Sequence, residues 1–353
     1  MLIALVTDLH FGARNDNLKV GKFQGKFYDE VFFPYCDANN IKTVIDLGDT
    51  FDRRKFISYT SLKAAKEMFF QPLQDKGMTL HCIVGNHDIT YKNTLSVNSI
   101  NLLLDGFDNI IEYSDPTEVT FDGLKMLFLP WICKENEEQS WQMVENTQAQ
   151  VLMAHLELNG FQMYKGMPSH VGIPANKFGH FDQVYTGHYH HKSTSGNITY
   201  LGTAYEMTWS CYEDQKGFHI YNTETRELTF VPNPHRLFYK EFYDDTNWTY
   251  DSLNSADYSY LRDKYVKVVV KSKGNPHLFD MFITQIENND PINVQVTDAH
   301  LHLDIEGEED IVNEAEDTLT ILDNYIDSLD IKNYKTDLQS LMRGLYSEAL
   351  RVE

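Results

Sequence analysis

The sequence predicts an α/β fold, and two features carry that prediction. Five short apolar runs have the length and β-branched content of strands, and each stops at a cluster of Asp, His, Asn and Gly. Helix-length segments separate the first three runs, as at 59–75, where Leu62, Ala65 and Phe69 follow helical spacing. Alternation of strand, polar loop and helix is typical of α/β architecture.

The polar clusters all follow predicted strands. In chain order the strands and the clusters that end them are 2–6 with TDLHFG, 43–47 with GDTFDRR, 80–84 with GNHD, 151–154 with His155, and 184–186 with GHYHH. Functional sites of open α/β sheets form at the carboxyl ends of the strands. We therefore expect the five clusters to converge on one cleft.

Composition limits the function further. The 353 residues suggest two domains or one large domain with additions, and a hydrophobic content of 42% suffices for a core. With 52 acidic and 30 basic residues, the formal charge of −22 argues against a protein that binds DNA by charge alone. A polyanionic substrate then needs a local positive feature or a partner.

Cysteine spacing and hydropathy indicate the compartment. The four cysteines are far apart and form no CxxC pair, which disfavours disulfide and zinc-ribbon frameworks and favours a reducing compartment. The amino terminus resembles a strand more than a signal peptide, and no window approaches ~18 apolar residues. The expectation is a soluble protein of the cytoplasm, the host cytoplasm if a phage encodes it, without membrane attachment.

The carboxyl-terminal part divides into two further regions. Residues 1–234 hold the strand-ending clusters, and after about Gly196 their pattern predicts antiparallel strands with a hairpin around 222–226. Region 235–300 contains a predicted strand at 265–270 and a helix at 278–287. Region 301–353 holds 14 acidic and 4 basic residues and predicts two amphipathic helices.

The residue types in the clusters suit a divalent-metal site. Carboxylate, amide and imidazole groups are the ligands that such ions use in phosphoryl chemistry. The candidates are Asp8, His10, Asp49, Asn86, His155, His188 and His190. The D-x-H and H-x-H spacings place both side chains on one side of an extended segment. A lone D-x-H is more often a turn than a ligand pair, and a lone H-x-H can be two surface histidines. Five clusters in this order, each ending a strand, favour a two-metal site.

The ordered motifs D-x-H, GD-x-x-DR, GNHD, H and GH-x-H resemble the calcineurin-like metallophosphoesterase superfamily over residues 1–195. The resemblance implies a β-sandwich flanked by helices with two divalent ions, Mn²⁺ or alternatively Mg²⁺. It implies that one ion is held by Asp8, His10, Asp49 and His190, and the other by Asp49, Asn86, His155 and His188. The implied mechanism is hydrolysis by a metal-bound hydroxide.

Three further residues receive catalytic roles from the same resemblance. His87 corresponds to the imidazole that faces the leaving-group oxygen without binding a metal, and Asp88 to the carboxylate that orients it. Asp52 is expected beside the ligands, where it holds a ligand or a water. Arg53, Arg54, Lys55 and Lys92 could follow a DNA backbone or could be solvated loop charges, and the sequence leaves both interpretations open.

Additional segments narrow the resemblance. DLHFG, the GDTFD block, Tyr-Leu-Gly-Thr at 200–203 and Lys-Gly-Phe at 216–218 resemble the SbcD/Mre-type recombination nucleases, and especially their phage-encoded members. These are the nuclease subunits of SbcCD-like double-strand-break repair complexes. The resemblance implies a small α+β capping domain that contacts DNA at 235–300, and a helix-loop-helix at 305–353 that docks on an SMC-like coiled-coil ATPase. It also implies a homodimer within a heterotetramer.

The expected activity is 3′–5′ exonuclease cleavage of duplex DNA and endonuclease cleavage of single strands. Two alternatives remain from the sequence. One is a general two-metal phosphoesterase that acts on small phosphodiesters or phosphoproteins, and the other is a mainly structural adaptor of a repair complex. The complete set of metal-ligand candidates disfavours the adaptor, and the residues beyond 195 disfavour a minimal phosphatase.

Overall fold

Two mixed β-sheets pack face to face and form the centre of the molecule. The structure is a computed structural model that describes residues 1–246 and 248–298, together with Ile326, Lys335, Leu338, Leu341 and Met342. Over these residues the predicted α/β fold is confirmed. The ends of the five predicted strands match those of the observed strands to within one residue.

The first sheet has the order β14-β13-β1-β2-β3-β4 within the described residues. Its strands β1 to β4 are parallel, and β13 joins β1 in antiparallel fashion. The hairpin expected at 222–226 is confirmed, since β13 and β14 pair antiparallel across it. The bounds are β1 Leu2–Val6, β2 Thr43–Asp46, β3 Thr79–Ile83, β4 Ile110–Tyr113, β13 Gly217–Asn222 and β14 Leu228–Pro232.

The second sheet has the order β11-β12-β10-β7-β6-β5 in the same part of the chain. Strands β6, β7, β10 and β12 are parallel, and β5 and β11 are antiparallel edge strands. The bounds are β5 Thr117–Phe121, β6 Leu124–Leu129, β7 Val151–His155, β10 Gln183–Gly187, β11 Ser193–Ser195 and β12 Ile198–Tyr200, and a separate hairpin contains β8 Gln162–Tyr164 and β9 Met167–Pro168.

The sheets meet through a layer of fully buried side chains. Leu5 and Ile45 of the first sheet pack in one cluster with Phe128, Met153 and Tyr185 of the second. Burial of such side chains stabilises each by roughly 1.5–3 kcal/mol relative to exposure. Two further clusters fill the space between each sheet and its outer helices. The sandwich flanked by helices is therefore the observed arrangement.

Two of the outer helices contain a π-helical turn. The predicted helix at 59–75 consists of Tyr59–Ala65, a π turn at Lys66–Phe70, and Gln71–Asp75. Pro72 has no N–H and cannot make the i to i−4 bond, so the wider turn lies where the regular ladder is interrupted. The helix that begins at Leu18 shows the same arrangement, with a π turn at Tyr28–Phe32 before Pro34.

The remaining helical segments are short. They are Ala13–Asp16, Leu18–Phe27, Phe33–Ala38, Ser99–Leu104, Glu137–Asn146, Tyr250–Asn254 and Pro276–Glu287, with 3₁₀ turns at Ala175–Phe178, Trp209–Cys211 and Ser259–Leu261. Among the described residues, no helix combines the length and apolar character needed to cross a membrane.

A third, parallel sheet follows the sandwich. It contains β15 Phe238–Asp244, β16 Tyr265–Ser272 and β17 Asn293–Asp298, in that spatial order. The predicted strand at 265–270 and helix at 278–287 are both confirmed, and Phe282 of the helix packs on Val266 and Val268. Tyr265 lies under the Arg14 guanidinium, 4.9 Å away, so this region contacts the sandwich.

The division into three domains stays a prediction. Most of region 301–353 lies outside the described residues, including nearly all positions of its two expected helices. The five described positions in this region are helical. Ile326 is buried, whereas Leu341 is 59% exposed.

Candidate metal centre

The predicted ligand residues converge at one edge of the sandwich. Asp8, Asp49 and Asn86 follow β1, β2 and β3 of the first sheet, and His155 ends β7 of the second. His188 and His190 follow β10. Because parallel strands present their carboxyl ends at the same edge, residues up to 182 positions apart in the chain become neighbours. All of these side chains except that of His188, which is partly exposed, are buried.

The first group of donor atoms joins Asp8, His10 and His190. The two imidazole Nε2 atoms of the histidines lie 3.2 Å apart. Asp8 Oδ1 is 4.0 Å from Nε2 of His10 and 3.8 Å from Nε2 of His190. Three candidate donor atoms therefore face one small volume.

The second group joins Asp49, Asn86, His155 and His188. Asn86 Oδ1 lies 3.0 Å from His155 Nε2 and 2.9 Å from His188 Nδ1. Asp49 Oδ2 is 3.3 Å from His155 Nε2 and 4.0 Å from Nε2 of His10 in the first group. The Asp49 carboxylate therefore lies between the two groups.

These separations fit groups that share a divalent ion. Two ligands about 2.1 Å from one ion lie roughly 3.0–4.2 Å apart in tetrahedral or octahedral geometry. A hydrogen bond of the His155 ring also supports a metal site. His155 Nδ1 donates to the Leu47 carbonyl at 2.8 Å, which directs Nε2 to the cluster. Metal-binding histidines have this pattern, with the outer ring nitrogen held by a carbonyl or carboxylate.

Four of the site residues have left-handed backbone conformations. The φ angles are 52° at Asp8, 43° at His10, 58° at Asp49 and 89° at His188. Non-glycine residues in this region cost roughly 1–3 kcal/mol each and occur mainly at functional sites. The strained turns aim the side chains across the strand ends, so part of the folding free energy is spent on holding the site.

Close approach explains two glycines of the motifs. A Cβ at Gly85 would lie 2.2 Å from Asp49 Oδ1, and a Cβ at Gly187 would lie 2.0 Å from Thr7 Oγ1. Only glycine lets the loop after β3 and the end of β10 come this near to the carboxylates. The space also leaves Thr7 Oγ1 free to donate to Asp8 Oδ2 at 2.7 Å.

His87 is fixed beside the first group by main-chain contacts. Its amide N–H donates to Asp49 Oδ1 at 2.7 Å, and its ring Nδ1 donates to the Asp52 carbonyl at 2.6 Å. A carbonyl only accepts a hydrogen bond, so Nδ1 carries the hydrogen. In the neutral ring, Nε2 then has the lone pair that can accept a proton. The His87 ring lies edge-on to that of His10, with centroids 4.9 Å apart.

Asp88 and Asp52 differ in what they contact. The Asp88 carboxylate accepts from the amide N–H groups of Gly85 and Asp49, both at 2.9 Å, and so ties the two motif loops together. The partner of His87 is thus the carbonyl of Asp52 and not the Asp88 carboxylate that the resemblance implied. The Asp52 side chain lies 3.4 Å from His10 Nδ1, beside a ligand candidate.

Burial and charge set the proton affinities of the site. Burial lowers the pKa of His10, but contact with Asp52 and the charge of Asp49 outweigh it and raise the pKa to about 10. The pKa of His155 rises to about 9, because the Asp49 carboxylate outweighs the effect of burial. Burial and the charge of His155 lower the pKa of His188. Metal ions and protons therefore compete for the same nitrogens.

A buried ion pair behind the site was not predicted as functional. Lys216 and Asp214 lie next to the turn that carries His190, with Lys216 Nζ 2.8 Å from Asp214 Oδ2. The sequence signal was a lysine at the start of the apolar run GFHIY, where a charge needs a partner. In the sequence, Lys216 was part of the Lys-Gly-Phe segment that carries the family resemblance, and no functional role was predicted for it.

The loop cations near the site differ in their contacts. The Arg53 guanidinium pairs with Asp16 at 3.4 Å and stacks on Phe56 at 4.9 Å, so internal contacts hold it. Arg54 is partly buried, and burial lowers its pKa while the charge of Asp49 acts in the opposite sense. The charge of Arg54 therefore interacts with that of the Asp49 carboxylate.

Comparison with known proteins places the chain in a family. The sequence profile of the calcineurin-like phosphoesterases matches residues 1–192. Exonuclease subunit 1 of Enterobacteria phage T4 is 34% identical over 274 residues, which cover 76% of this chain and 77% of that protein.

Solved structures also match the chain, among them the following two. One, described as a novel archaeal phosphodiesterase, is 16% identical and aligns over 66% of this chain and 100% of its own, with a TM-score of 0.33. The other, a protein of unknown function from Aquifex aeolicus, is 15% identical over 44% of this chain and 80% of its own, with a TM-score of 0.25. Scores this low support no conclusion.

The profile match covers more than half of the chain, and the phage relative covers three quarters of it. The matched range includes the motifs whose side chains meet at the edge of the sandwich. The chain belongs to the calcineurin-like phosphoesterase family and is a metal-dependent phosphodiesterase.

Proposed function

We propose that this chain is the nuclease subunit of an SbcCD-like repair or recombination complex, and that it hydrolyses DNA phosphodiesters with two Mn²⁺ ions. The observation that carries the proposal is the position of Asp49 between two groups of donor atoms, 4.0 Å from His10 Nε2 and 3.3 Å from His155 Nε2. A carboxylate so placed can serve both ions of a two-metal site.

In this proposal Asp8, His10, Asp49 and His190 hold one ion, and Asp49, Asn86, His155 and His188 hold the other. When bound, such ions neutralise phosphate charge and bring the pKa of a coordinated water close to neutrality. The choice of Mn²⁺, with Mg²⁺ as the alternative, follows from the family resemblance, and the carboxylate and amide oxygens suit both ions. The Asp88 carboxylate keeps the two loops in register through its bonds to Gly85 and Asp49.

His87 is the proposed proton carrier. With Nδ1 donating to the Asp52 carbonyl, Nε2 accepts a proton from water or, once protonated, gives it to the leaving oxygen. Burial and the neighbouring charge of His10 lower the pKa of His87, which makes its protonated form a stronger acid. Asp52 contributes twice, through its carbonyl to His87 and through its carboxylate to His10.

DNA is the proposed substrate because of the exonuclease relative, with 3′–5′ cleavage of duplex ends and endonuclease cleavage of single strands. The formal charge of −22 makes unaided capture of DNA weak. We place the additional contacts in the region 235–300 as a capping domain and in Arg54.

The name of the phage relative, exonuclease subunit 1, supports a partner subunit. We propose an SMC-like coiled-coil ATPase that binds residues 305–353, a homodimer of this chain within a heterotetramer, and action in the host cytoplasm. The exposed Leu341 offers one apolar contact for such a partner.

The test is hydrolysis of end-labelled duplex DNA, single-stranded DNA and bis-p-nitrophenyl phosphate, each with Mn²⁺, with Mg²⁺ and with a chelator. Mn²⁺-dependent loss of nucleotides from 3′ ends supports the proposal, and the Asp49→Ala variant serves as the inactive control. Turnover of the chromogenic ester without any DNA cleavage would instead identify a general phosphoesterase. A protein that hydrolyses none of them while binding an ATPase would be a structural adaptor.

A further inference from the structure

A cleft opens beside the second group of donor atoms. Its volume is about 370 Å³, and His155 forms part of its wall as well as part of the metal centre. The wall also contains Trp131, Trp141, Glu157, Ile173 and Lys177. Pockets for small ligands have volumes of roughly 300–1,000 Å³, so the cleft can hold one aromatic heterocycle with its sugar.

Two indole rings line the cleft, and both are only half-buried. Trp131 lies against the metal centre, with its ring 5.2 Å from that of His188 and 6.0 Å from that of His155. Trp141 packs on Phe178 at 6.0 Å and carries Lys177 Nζ 5.4 Å from its ring centre. The aromatic surface therefore runs from the metal ligands into the cleft.

Polar groups at the cleft are few. Glu157 is half-buried and offers a carboxylate acceptor, and Lys177 is an exposed cation. Gly172 packs directly on the main chain of Glu157, because a Cβ there would lie 2.5 Å from the Glu157 carbonyl oxygen. An apolar aromatic site with one acceptor and one cation suits a planar base with amino groups better than it suits a phosphate or a sugar alone.

We propose that this cleft binds a nucleobase of the substrate, namely the base of the nucleotide whose phosphate lies at the metal centre. The proposal rests on the proposed nuclease function. Stacking on tryptophan accepts every base, which suits a nuclease without sequence preference. Since His155 belongs to both places, the sugar links a base in the cleft to a phosphate at the ions. An unpaired terminal base enters at the lowest cost, so the cleft favours strand ends.

The test compares binding of dAMP and of 2-deoxyribose 5-phosphate to the Mn²⁺-loaded protein by calorimetry. The two ligands share the phosphate and differ in the base. The wild type should bind dAMP at least tenfold more tightly, equivalent to 1.4 kcal/mol. Trp141→Ala should lose this preference. Its affinity for deoxyribose phosphate should stay within about twofold of the wild-type affinity.

Two further variants separate the cleft from general effects. Tyr59→Ala removes an aromatic ring that is 91% exposed and lies outside the cleft, and it should keep the full preference. Lys177→Met alters an exposed side chain that folding does not need, and it should reduce the preference at least threefold. If Trp141→Ala fails to fold, the preference measured for Lys177→Met tests the inference on its own. Equal affinity of the wild type for both ligands, or a full preference in both cleft variants, would overturn the inference.

Cleavage rates distinguish this failure from failure of the proposed function. Single-stranded DNA with a normal 3′ end is compared with the same strand ending in an abasic nucleotide. If the wild type cleaves neither, the nuclease proposal is wrong. If it cleaves both at equal kcat/KM, the nuclease proposal stands and the base site is wrong.

Discussion

The buried ammonium group of Lys216 donates to the main-chain carbonyl of His190 at 2.7 Å. The same Nζ lies 2.8 Å from Asp214 Oδ2, and Asp214 Oδ1 lies 3.0 Å from His191 Nδ1. A charged network thus fixes the turn of the H-x-H motif from behind. Burial raises the pKa of Asp214, but the contacts with His191 and Lys216 outweigh it and lower the pKa to about 2.

Replacing Lys216 should damage both stability and the metal centre. Lys216→Met leaves Asp214 buried without its cation, which costs about 3–5 kcal/mol of unfolding free energy in comparable pairs. It also frees the His190 carbonyl, so Mn²⁺ affinity should fall. Urea unfolding and metal titration measure the two effects. Adding Asp214→Asn should restore part of the stability but not the metal affinity, and Lys134→Met, at an exposed lysine, is the control. Unchanged Mn²⁺ affinity in Lys216→Met would show that the network is only structural.

Asp49→Ala should remove both metal ions. The carboxylate lies between the two groups of donor atoms, so each group loses a ligand. Metal analysis of the purified variant measures the loss, with the exposed Asp105→Ala as the control. One ion retained at full occupancy would refute the bridging position.

His87→Ala should keep both ions and bind DNA while its turnover falls by roughly 10²–10⁴, the contribution of a positioned proton carrier. The ring contacts His10 edge-on and is held by the Asp52 carbonyl, so its loss leaves the ligands in place. Single-turnover cleavage in Mn²⁺ is the measurement, and the exposed His170→Ala is the matched control. Near-normal turnover, or loss of bound metal, would contradict the assignment.

Acid should destabilise the sandwich through two buried histidines. Burial lowers the pKa of His81 to about 4 and that of His219 to about 3. The unfolded chain, with a histidine pKa of about 6.5, binds more protons between these values. The contribution of these two histidines to stability is therefore present above pH 6.5 and is lost as the pH falls toward 4. Urea unfolding of chelator-treated protein from pH 4 to 7 measures the slope.

The variant His219→Phe tests the origin of that slope. His219 packs on Phe230, with ring centroids 5.0 Å apart, so a phenyl ring suits the site. Its removal should make the pH dependence shallower, whereas His170→Ala should leave it unchanged. An identical slope in His219→Phe would assign the acid sensitivity to other groups.

Region 301–353 should bind an SMC-like ATPase, with the exposed Leu341 as one of its contacts. Leu341→Asp should abolish co-purification with an SMC-like ATPase and leave Mn²⁺-dependent cleavage of short single strands unchanged. Leu102→Asp, at a leucine that is 63% exposed on another helix, is the control. Truncation at Gly307 is the broader test, but the buried Ile326 means that it can also expose internal surface. Full ATPase binding by both altered chains would place the docking surface elsewhere.

The sequence by itself determined the local features of this protein. Strand length, helical spacing and turn chemistry depend on neighbouring residues, so the five strands and the polar clusters at their ends were predictable. The ligand types followed as well, because Asp, Asn and His at strand ends have few other uses in such number. The hairpin at 222–226 and the helix at 278–287 were predicted for the same reason.

Contacts between distant segments needed the tertiary structure. That the partner of His87 is a main-chain carbonyl of Asp52 has no side-chain signature, because every residue carries a carbonyl. The positions of Lys216 behind His190 and of Trp131 beside His188 depend on how the two sheets pack. Residues as far apart as His10 and His190, 180 positions along the chain, are brought together by burial of the layer between the sheets, which is a property of the whole fold and of no single segment.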